Sequence, residues 1–286
     1  MKDDIRKVGV VGAGLMGAEI ALTFAIAGYP VRLVDQTEER LAAASERLLT
    51  LVKKGIARGF YQAEQQAPIF ERLSTTTRLD DLAGCDFITE AVFEEEAVKA
   101  DIFHALDRVC GPDCILASNT STIPISTLAS YLDEARRPRF LGTHYFSPVS
   151  RMKLVEVIPA FGTAPEIVAR IRELCHEVGK TTVLIKDVTG FAVNRMLHAF
   201  VIEAIRLVEE GVASPEDIDL ACRLALGHPM GPFELMDATS SHLCLQVHEI
   251  LHEAYGERFR PRPLLKQRVK AGFIGGRGKP GWRKRG

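Results

Sequence analysis

Short apolar runs that end in turn residues recur along the first two thirds of the chain, and between them lie segments with apolar residues at helical spacing. The runs occupy residues 8–11, 31–35, 86–92, 114–118, 139–145, 153–158 and 181–185. In the intervening segment 37–54, the apolar positions from Leu41 to Val52 fall on one face of a helix. This alternation predicts an α/β fold with a mostly parallel sheet covered on both faces.

The last third of the chain has helical patterns and no strand pattern. The helices are expected over 190–211, about 214–226 and about 239–255. Ser214 is the expected N-cap of the second of these, and Gly227 is expected to end it. We predict a boundary near residue 188 between two domains. An α/β domain would cover 1–188 and an all-α domain 189–286.

A glycine-rich turn joins the first predicted strand to the first predicted helix. Gly12, Gly14 and Gly17 form G-x-G-x-x-G, and Asp35 closes the second strand eighteen residues after Gly17. In a dinucleotide site the first glycine permits the tight turn, the second lets backbone N–H groups approach a pyrophosphate, and the third lets helix and strand pack closely. The helix N-terminus attracts the phosphate charge. The predicted cofactor-binding loop is Gly12, Ala13, Gly14, Leu15, Met16 and Gly17.

The end of the second strand indicates which dinucleotide is bound. The carboxylate of Asp35 can accept hydrogen bonds from a ribose diol and would repel a 2′-phosphate. The next residues, Gln36 and Thr37, offer no cation. The sequence therefore predicts a Rossmann-type domain that binds NAD rather than NADP.

Composition is typical of a globular protein, with 286 residues of which 47% are hydrophobic and 26% charged. We expect a cytoplasmic protein, because no apolar segment is long enough to span a membrane and no signal-peptide pattern precedes the first strand. The six cysteines are irregularly spaced without a C-x-x-C pair, which favours buried or idle thiols over a metal site.

Charge is unevenly distributed along the chain. The formal net charge is −1, but residues 258–286 hold eleven Lys or Arg and no Asp or Glu, which leaves −12 on the remainder. A basic tail is compatible with nucleic acid, with a phosphorylated ligand or with a solvated chain end. Because its only aromatic residues are Phe259, Phe273 and Trp282, we expect no nucleic-acid partner.

A glutamate lies inside one of the apolar runs. Glu156 is surrounded by Leu154, Val155, Val157 and Ile158, where an unpaired carboxylate would be costly. His144, twelve residues earlier, ends a predicted strand at the edge where such sheets bind ligands. An alcohol dehydrogenase needs a base for the hydroxyl proton, and histidine suits that task. A catalytic pair and a structural ion pair remain alternatives on these residues alone.

The segment "HEILH" at 248–252 matches the H-E-x-x-H pattern of zinc proteases. A third ligand is required, and no His, Asp or Glu follows Glu257. An exposed helical face is the simpler explanation of His248 and His252, and we expect no metal.

Several motifs occur in the order found in one family. They are "VGAGLMG", "LVKKG", "ILASNTSTIPIS", "HYFSPVSRMKLVEVI", "GFAVNR" and "HPMGPFEL". With them the chain resembles the short-chain L-3-hydroxyacyl-CoA dehydrogenases of the 3-hydroxybutyryl-CoA dehydrogenase type over nearly its whole length. The resemblance implies NAD-dependent interconversion of a short-chain L-3-hydroxyacyl-CoA and the 3-ketoacyl-CoA. It also implies a dinucleotide-binding domain and a helical domain that forms a homodimer.

The resemblance also implies residue roles. His144 would be the catalytic base and Glu156 its partner. Asn194 would hold the histidine or the substrate oxygen, and Ser121 would hydrogen-bond the substrate hydroxyl. The residues implied at the cofactor are Glu94, Lys99, Ser121, Ser147 and Arg277. Those implied at the CoA phosphates are Arg47 and Lys54.

The chain departs from the family pattern at four places. Ser147 stands where an Asn that helps place the nicotinamide is usual, and Arg277 stands where a Lys is usual. Thr189 replaces a Pro, and "ATSSH" replaces F-x-G-L-D after "HPMGPFELMD". The departures keep open a dehydrogenase of a non-CoA hydroxy acid, resembling gulonate or carnitine dehydrogenases. A crystallin-like structural protein and a zinc peptidase are remoter alternatives.

Overall fold

The computed structural model describes residues 4–276 and 278–283. The chain divides into two compact units that meet between Asp187 and Val188. The first is α/β and the second is built of helices. A Rossmann-type domain followed by an all-α region, as the alternation of patterns predicted, is confirmed.

The first unit is built on one eight-stranded sheet with the order β3-β2-β1-β4-β5-β6-β7-β8. Neighbouring strands are parallel except β6 and β7, which are antiparallel. The strands are β1 (Val8–Val11), β2 (Val31–Val34), β3 (Leu73–Thr76), β4 (Phe87–Glu90), β5 (Ile115–Ser118), β6 (Phe140–Tyr145), β7 (Leu154–Pro159) and β8 (Thr181–Leu184). The helices are α1 (Leu15–Ile26), α2 (Glu38–Ala57), α3 (Gln66–Glu71), α4 (Glu96–Val109), α5 (Ile125–Ala129) and α6 (Pro165–Glu177).

Burial explains why the strands were recognisable. The central strands β1, β4 and β5 are buried at every position, so they appear in the sequence as continuous apolar runs. The strand β3, by contrast, has the sequence LSTT and lies exposed or half-buried at the sheet edge. It has no apolar run, and the sequence analysis missed it. The helix α2 begins after Thr37, whose side chain accepts the N–H of Arg40, and it extends to Ala57 rather than 54.

The second unit contains the helices α7 (Val193–Glu209), α8 (Pro215–Ala225), α9 (Pro232–Thr239), α10 (Ser241–Tyr255) and α11 (Pro263–Lys270). Ser214 caps α8 by accepting the N–H of Asp217 at 3.1 Å, as the sequence predicted. The short helices α9 and α11 were not predicted. An apolar core includes Val201 and Ile205 of α7, Phe233 and Trp282.

The basic tail folds onto this unit where the structure describes it. Arg262 pairs with Glu209, and Arg283 pairs with Glu234 at 2.8 Å. Its charges therefore serve partly as internal ion pairs. Among the described residues, no helix combines the length and the apolar character that crossing a membrane requires.

Candidate active site

The glycine-rich turn between β1 and α1 has little room for side chains at two of its glycines. Gly12 has φ of 102°, and a Cβ there would lie 2.6 Å from the carbonyl oxygen of Ala91. A Cβ on Gly17 would lie 1.9 Å from the carbonyl oxygen of Gly12. Around Gly14 nothing lies within 4 Å of the added atom. The turn is therefore tightly packed on the protein side and open at Gly14, which fits a pyrophosphate at the start of α1.

Asp35 lies beside this turn at the end of β2. Its Oδ2 accepts the N–H of Ala13 at 2.6 Å, and its Oδ1 lies 3.4 Å from a guanidinium nitrogen of Arg40. Arg40 in turn lies over the ring of Phe93. A cleft of about 590 Å³ is lined by the turn, Asp35, Arg40 and Phe93. The residues fit a dinucleotide.

Arg40 was missed by the sequence analysis, which looked only at the two residues after Asp35. The signal was available, because Arg40 lies five residues after Asp35 in the first turn of an expected helix and an arginine side chain can reach back over that distance. A cation is therefore present beside the carboxylate that is expected to select NAD.

Arg47 lies against the glycine turn from the side of α2. Its Nη2 donates to the carbonyl oxygens of Ala13 at 2.9 Å and of Gly14 at 3.2 Å. A second cavity, a groove of about 370 Å³ between α1 and α2, is lined by Arg47 and by Lys54 in the last turn of α2. The two residues implied at the CoA phosphates thus share one groove.

A buried ionic cluster lies at the end of β4. Glu90 is fully buried and Lys99 is 1% exposed, and their charged atoms are 2.6 Å apart. Glu90 also accepts the N–H of Val92 at 2.7 Å and the hydroxyl of Ser118 at 2.6 Å. Glu90 therefore joins β4, β5 and α4. This glutamate was not predicted as a site residue, although it lies within the apolar run 86–92 just as Glu156 lies within the run 153–158.

Glu94 extends this cluster to the turn after β5. Its Oε1 accepts the N–H groups of Ser121 at 2.7 Å and Thr122 at 2.8 Å, and Lys99 lies 3.4 Å from its other oxygen. Burial opposes ionisation, but Lys99 and these hydrogen bonds hold the pKa of Glu94 below its ordinary value. The structure thus brings together Glu94, Lys99 and Ser121. Lys99 itself is enclosed, and it pairs with both Glu90 and Glu94.

His144 and Glu156 are directly opposite each other on the antiparallel strands β6 and β7. Nδ1 of His144 lies 2.8 Å from Oε2 of Glu156, and the two residues are 6% and 0% exposed. An ionised carboxylate can only accept, which places the proton on Nδ1 and the lone pair on Nε2. The neighbouring Tyr145 is held by its N–H, which donates to Asn119 at 2.9 Å.

The other predicted site residues are placed as follows. Ser147 is exposed in the connection between β6 and β7. Asn194 is half-buried in the first turn of α7, in the second unit. Arg277 lies outside the described residues.

The expectation of an exposed face at "HEILH" is wrong for its first histidine. His248 is completely buried, whereas the side chain of His252 is 34% exposed. The reason is that His248 falls on the buried stripe of α10, which comprises Ser241, Cys244, Val247, His248 and Leu251. The two histidines of the motif therefore have different environments.

Comparison with known proteins identifies relatives over nearly the whole chain. Residues 7–188 match the family model of the 3-hydroxyacyl-CoA dehydrogenase NAD-binding domain, and residues 190–285 match that of the C-terminal domain. A probable 3-hydroxybutyryl-CoA dehydrogenase of Bacillus subtilis is 40% identical over 273 residues, which are 95% of this chain and 94% of that protein. A 3-hydroxybutyryl-CoA dehydrogenase of Bradyrhizobium diazoefficiens is 39% identical over 95% of this chain and 92% of its own. The crystal structure of (S)-3-hydroxybutyryl-CoA dehydrogenase from Ralstonia eutropha is similar with a TM-score of 0.92 and 35% identity, covering 98% of this chain and 100% of that one.

Proposed function

Because the chain belongs to the 3-hydroxyacyl-CoA dehydrogenase family, and is an NAD-dependent oxidoreductase of 3-hydroxyacyl-CoA substrates, we propose that it acts on short acyl chains with His144 as its base. The observation that carries the assignment of the base is the 2.8 Å contact between His144 and the buried Glu156. Membership of this enzyme family argues against the peptidase alternative, and the paired His144 and Glu156 argue against a crystallin-like structural role.

In the proposed mechanism, Nε2 of His144 accepts the proton of the substrate hydroxyl. When bound, NAD would accept the hydride from the carbon that carries this hydroxyl. Glu156 fixes the tautomer of His144 and stabilises the imidazolium that forms. In the reverse direction His144 returns the proton to the ketone oxygen. Glu156 touches His144 and acts through it, so it is a positioning residue.

We further propose that Ser121 orients the substrate hydroxyl. Its backbone N–H is fixed by Glu94, which is itself tied to Lys99, so the turn that carries the hydroxyl is anchored to a buried cluster. Asn194 keeps the role that the resemblance implies, as a holder of His144 or of the substrate oxygen. Ser147 and Arg277 keep the cofactor roles that the resemblance implies.

A short acyl-CoA is the proposed substrate. The relatives named above are 3-hydroxybutyryl-CoA dehydrogenases, and Arg47 and Lys54 offer cations beside one groove. The test is oxidation of NADH with acetoacetyl-CoA, with longer 3-ketoacyl-CoA esters and with free acetoacetate. We expect the highest kcat/KM for acetoacetyl-CoA. An equal kcat/KM for free acetoacetate would instead favour a dehydrogenase of a non-CoA hydroxy acid.

Two of the departures from the family pattern occur together in the second unit. Ser241, from "ATSSH", accepts the indole N–H of Trp282 at 2.9 Å, and Asp237 accepts the backbone N–H of Trp282 at 2.7 Å. The altered segment 238–242 and the altered end of the chain therefore contact each other. We infer that these two departures serve the packing of the second unit.

For cofactor choice we expect the wild type to prefer NADH over NADPH, and Asp35→Asn to narrow that preference. Asparagine keeps an acceptor for the N–H of Ala13, removes the charge that repels a 2′-phosphate, and leaves Arg40 available to bind one. The ratio of the two kcat/KM values should change on the order of tenfold, as expected for one partly exposed charge pair. The double variant Asp35→Asn/Arg40→Ala should lose most of the gain with NADPH. An unchanged ratio in the single variant would show that Asp35 does not select the cofactor.

For the CoA site we expect Lys54→Glu to raise KM for acetoacetyl-CoA and to leave kcat nearly unchanged. KM rises at unchanged kcat when the lost interaction stabilised the bound substrate and the transition state equally. The rise should be roughly five- to tenfold at low ionic strength, the size of an exposed charge interaction, and it should shrink as salt is added. Lys53→Glu is the matched control, since it makes the same charge change one residue away and does not line the groove. Equal effects of the two variants would argue against a specific phosphate contact.

We also propose that the chain is a homodimer, as the resemblance implies. The helix α8 carries Leu220 and Leu224 on one face at 46% and 79% exposure, and the loops around it expose Val212 and Leu226. An apolar surface of this kind is typical of an interface between copies. The molar mass from light scattering tests the proposal, and a monomer at micromolar concentration would contradict it.

A further inference from the structure

Three side chains that bind transition metals meet inside the second unit. His198 lies on α7, and Cys244 and His248 lie one turn apart on α10. They are 8%, 5% and 0% exposed. One potential ligand atom from each lies within 4.8 Å of the others. The two helices contact each other, so the cluster is part of the packing of this unit.

Hydrogen bonding among these residues is weak and incomplete. Sγ of Cys244 lies 3.6 Å from Nε2 of His248 and 3.9 Å from Nδ1 of His198, which are long contacts to a poor donor. Nδ1 of His248 is buried and has no hydrogen-bond partner among the described residues. Buried polar groups are normally satisfied. The facing atoms, which are Sγ of Cys244, Nε2 of His248 and Nδ1 of His198, have such poor mutual bonding that a ligand between them is favoured, whereas the unsatisfied Nδ1 of His248 is not one of the facing atoms.

The two sulfur–nitrogen spacings are close to those of a coordination sphere, and the third spacing is within 4.8 Å. Metal–sulfur bonds of about 2.3 Å and metal–nitrogen bonds of about 2.0–2.1 Å place sulfur and nitrogen ligands roughly 3.5–3.8 Å apart at tetrahedral or trigonal angles. The observed separations are 3.6 and 3.9 Å. We propose that His198, Cys244 and His248 bind a single d¹⁰ cation, Zn²⁺ or Cu⁺, between α7 and α10.

The chemistry of the ligands selects this class of ion. A thiolate with two imidazoles favours zinc and monovalent copper over magnesium, calcium or manganese, which prefer oxygen ligands. Burial lowers the pKa of His198 to about 4, and burial together with His198 lowers that of His248 to about 3. Both rings are therefore neutral near pH 7, the form in which imidazole coordinates. Burial also raises the pKa of the Cys244 thiol to about 12, so the incoming cation must displace the thiol proton, which is released to solvent.

Charge distinguishes the two candidate ions. One thiolate neutralises Cu⁺ completely, whereas it leaves one positive charge on Zn²⁺, and an uncompensated charge is costly in a buried site. Zinc would also need a fourth ligand to reach its usual tetrahedral coordination. The arrangement therefore favours Cu⁺ where that ion is available, and the same three residues would serve either ion.

This site differs from the zinc-protease pattern noticed in the sequence. Of the two histidines in "HEILH" only His248 belongs to the cluster, while His252 lies 3.4 Å from Glu257. The remaining ligands come from Cys244 on the same helix and His198 on another. No step of the proposed dehydrogenase mechanism uses the cluster, so failure of one proposal would not affect the other.

The test is metal binding by the purified full chain after chelator treatment. Zn²⁺ and Cu⁺ are titrated separately against chromogenic chelators, and Co²⁺ serves as a spectroscopic probe because thiolate coordination gives a ligand-to-metal charge-transfer band. Binding of one ion per chain is expected, with that band present for Co²⁺ and a rise in thermal stability on addition of the preferred ion. The variant Cys244→Ala should lose the charge-transfer band and weaken binding by about 100-fold or more.

Two control variants make the result specific. Cys222→Ala removes another buried thiol of the same unit, and His252→Gln removes the second histidine of the motif, and both should bind metal as the wild type does. If Cys244→Ala fails to fold, the Co²⁺ spectra of the wild type and of Cys222→Ala are compared. A thiolate band that survives in Cys222→Ala shows that Cys222 is not the ligand and supports Cys244. Loss of the band in Cys222→Ala contradicts the proposal. The proposal would be overturned if the wild type bound neither Zn²⁺ nor Cu⁺ stoichiometrically, or if Cys244→Ala bound the metal as tightly as the wild type.

Discussion

The variant His144→Gln should lose about 10²–10⁴-fold in turnover, the usual contribution of a general base. Glutamine keeps a polar side chain beside Glu156 but has no basic nitrogen, so the substrate hydroxyl would have to release its proton without an acceptor at that position. NADH binding, measured by fluorescence titration, should be unchanged because the glycine turn and Asp35 lie on other strands. The measurement is kcat with acetoacetyl-CoA and NADH under saturating conditions.

Two companion variants separate a base from a structural pair. Glu156→Gln keeps the side-chain volume but allows the wrong tautomer of His144, and it should also reduce kcat strongly while the protein remains folded. His104→Gln replaces an exposed histidine on α4 and should leave kcat unchanged. Activity of His144→Gln within a few-fold of the wild type would show that another group takes the proton, and that the 2.8 Å contact is structural.

The variant Lys99→Met should destabilise the protein by about 3–5 kcal/mol, because it leaves Glu90 as an uncompensated buried charge. Glu90 is 0% exposed, and among the residues that the structure describes, the hydroxyl of Ser118 and the N–H of Val92 would remain as its hydrogen-bond donors. A loss of this size is a large fraction of the stability of an ordinary domain. Chemical denaturation followed by circular dichroism would measure it. The midpoint of thermal unfolding should fall by roughly 10 °C.

The double variant Glu90→Gln/Lys99→Met is the informative control for this pair. Removing both charges should restore most of the lost stability, since the cost arises from leaving one charge without the other. Lys53→Met, at an exposed position on α2, should change stability by no more than about 0.5 kcal/mol. Equal instability of the single and double variants would show that methionine at 99 fails to pack, and that the charge of Glu90 is not the cause.

The sequence was sufficient for those parts of the fold that depend on local patterns. The glycine turn requires no side chain at Gly12 and Gly17, and this requirement is visible as the residue type itself. All seven apolar runs became strands. For six of them burial is the reason, because a strand buried on both faces must be apolar along its length, whereas the edge strand β8 is mostly exposed. The edge strand β3 lacked that signal and was missed.

Contacts between distant side chains were predictable only where a polar residue stood out among apolar neighbours and a suitable partner lay close in sequence. Glu156 was noticed because apolar neighbours surround it, and His144 is close enough in sequence to return beside it. Glu90 gave nearly the same signal, yet its partner Lys99 lies on a helix, where a lysine is expected to be exposed. His248 was misjudged because a histidine gives no apolar signal of its own, although it shares the buried stripe of α10 with Val247 and Leu251.

The antiparallel pairing of β6 and β7 has a consequence for how enzymes with this sheet can diverge. Because His144 and Glu156 face each other in register, a single-residue insertion within either strand would turn one of them to the opposite face of the sheet. An insertion or deletion in the connecting segment 146–153 leaves that register intact. Insertions and deletions are thus expected to be harmful within the two strands and tolerated in the loop between them. Remodelling of this loop is therefore expected to leave the proposed proton-transfer pair, His144 and Glu156, in register.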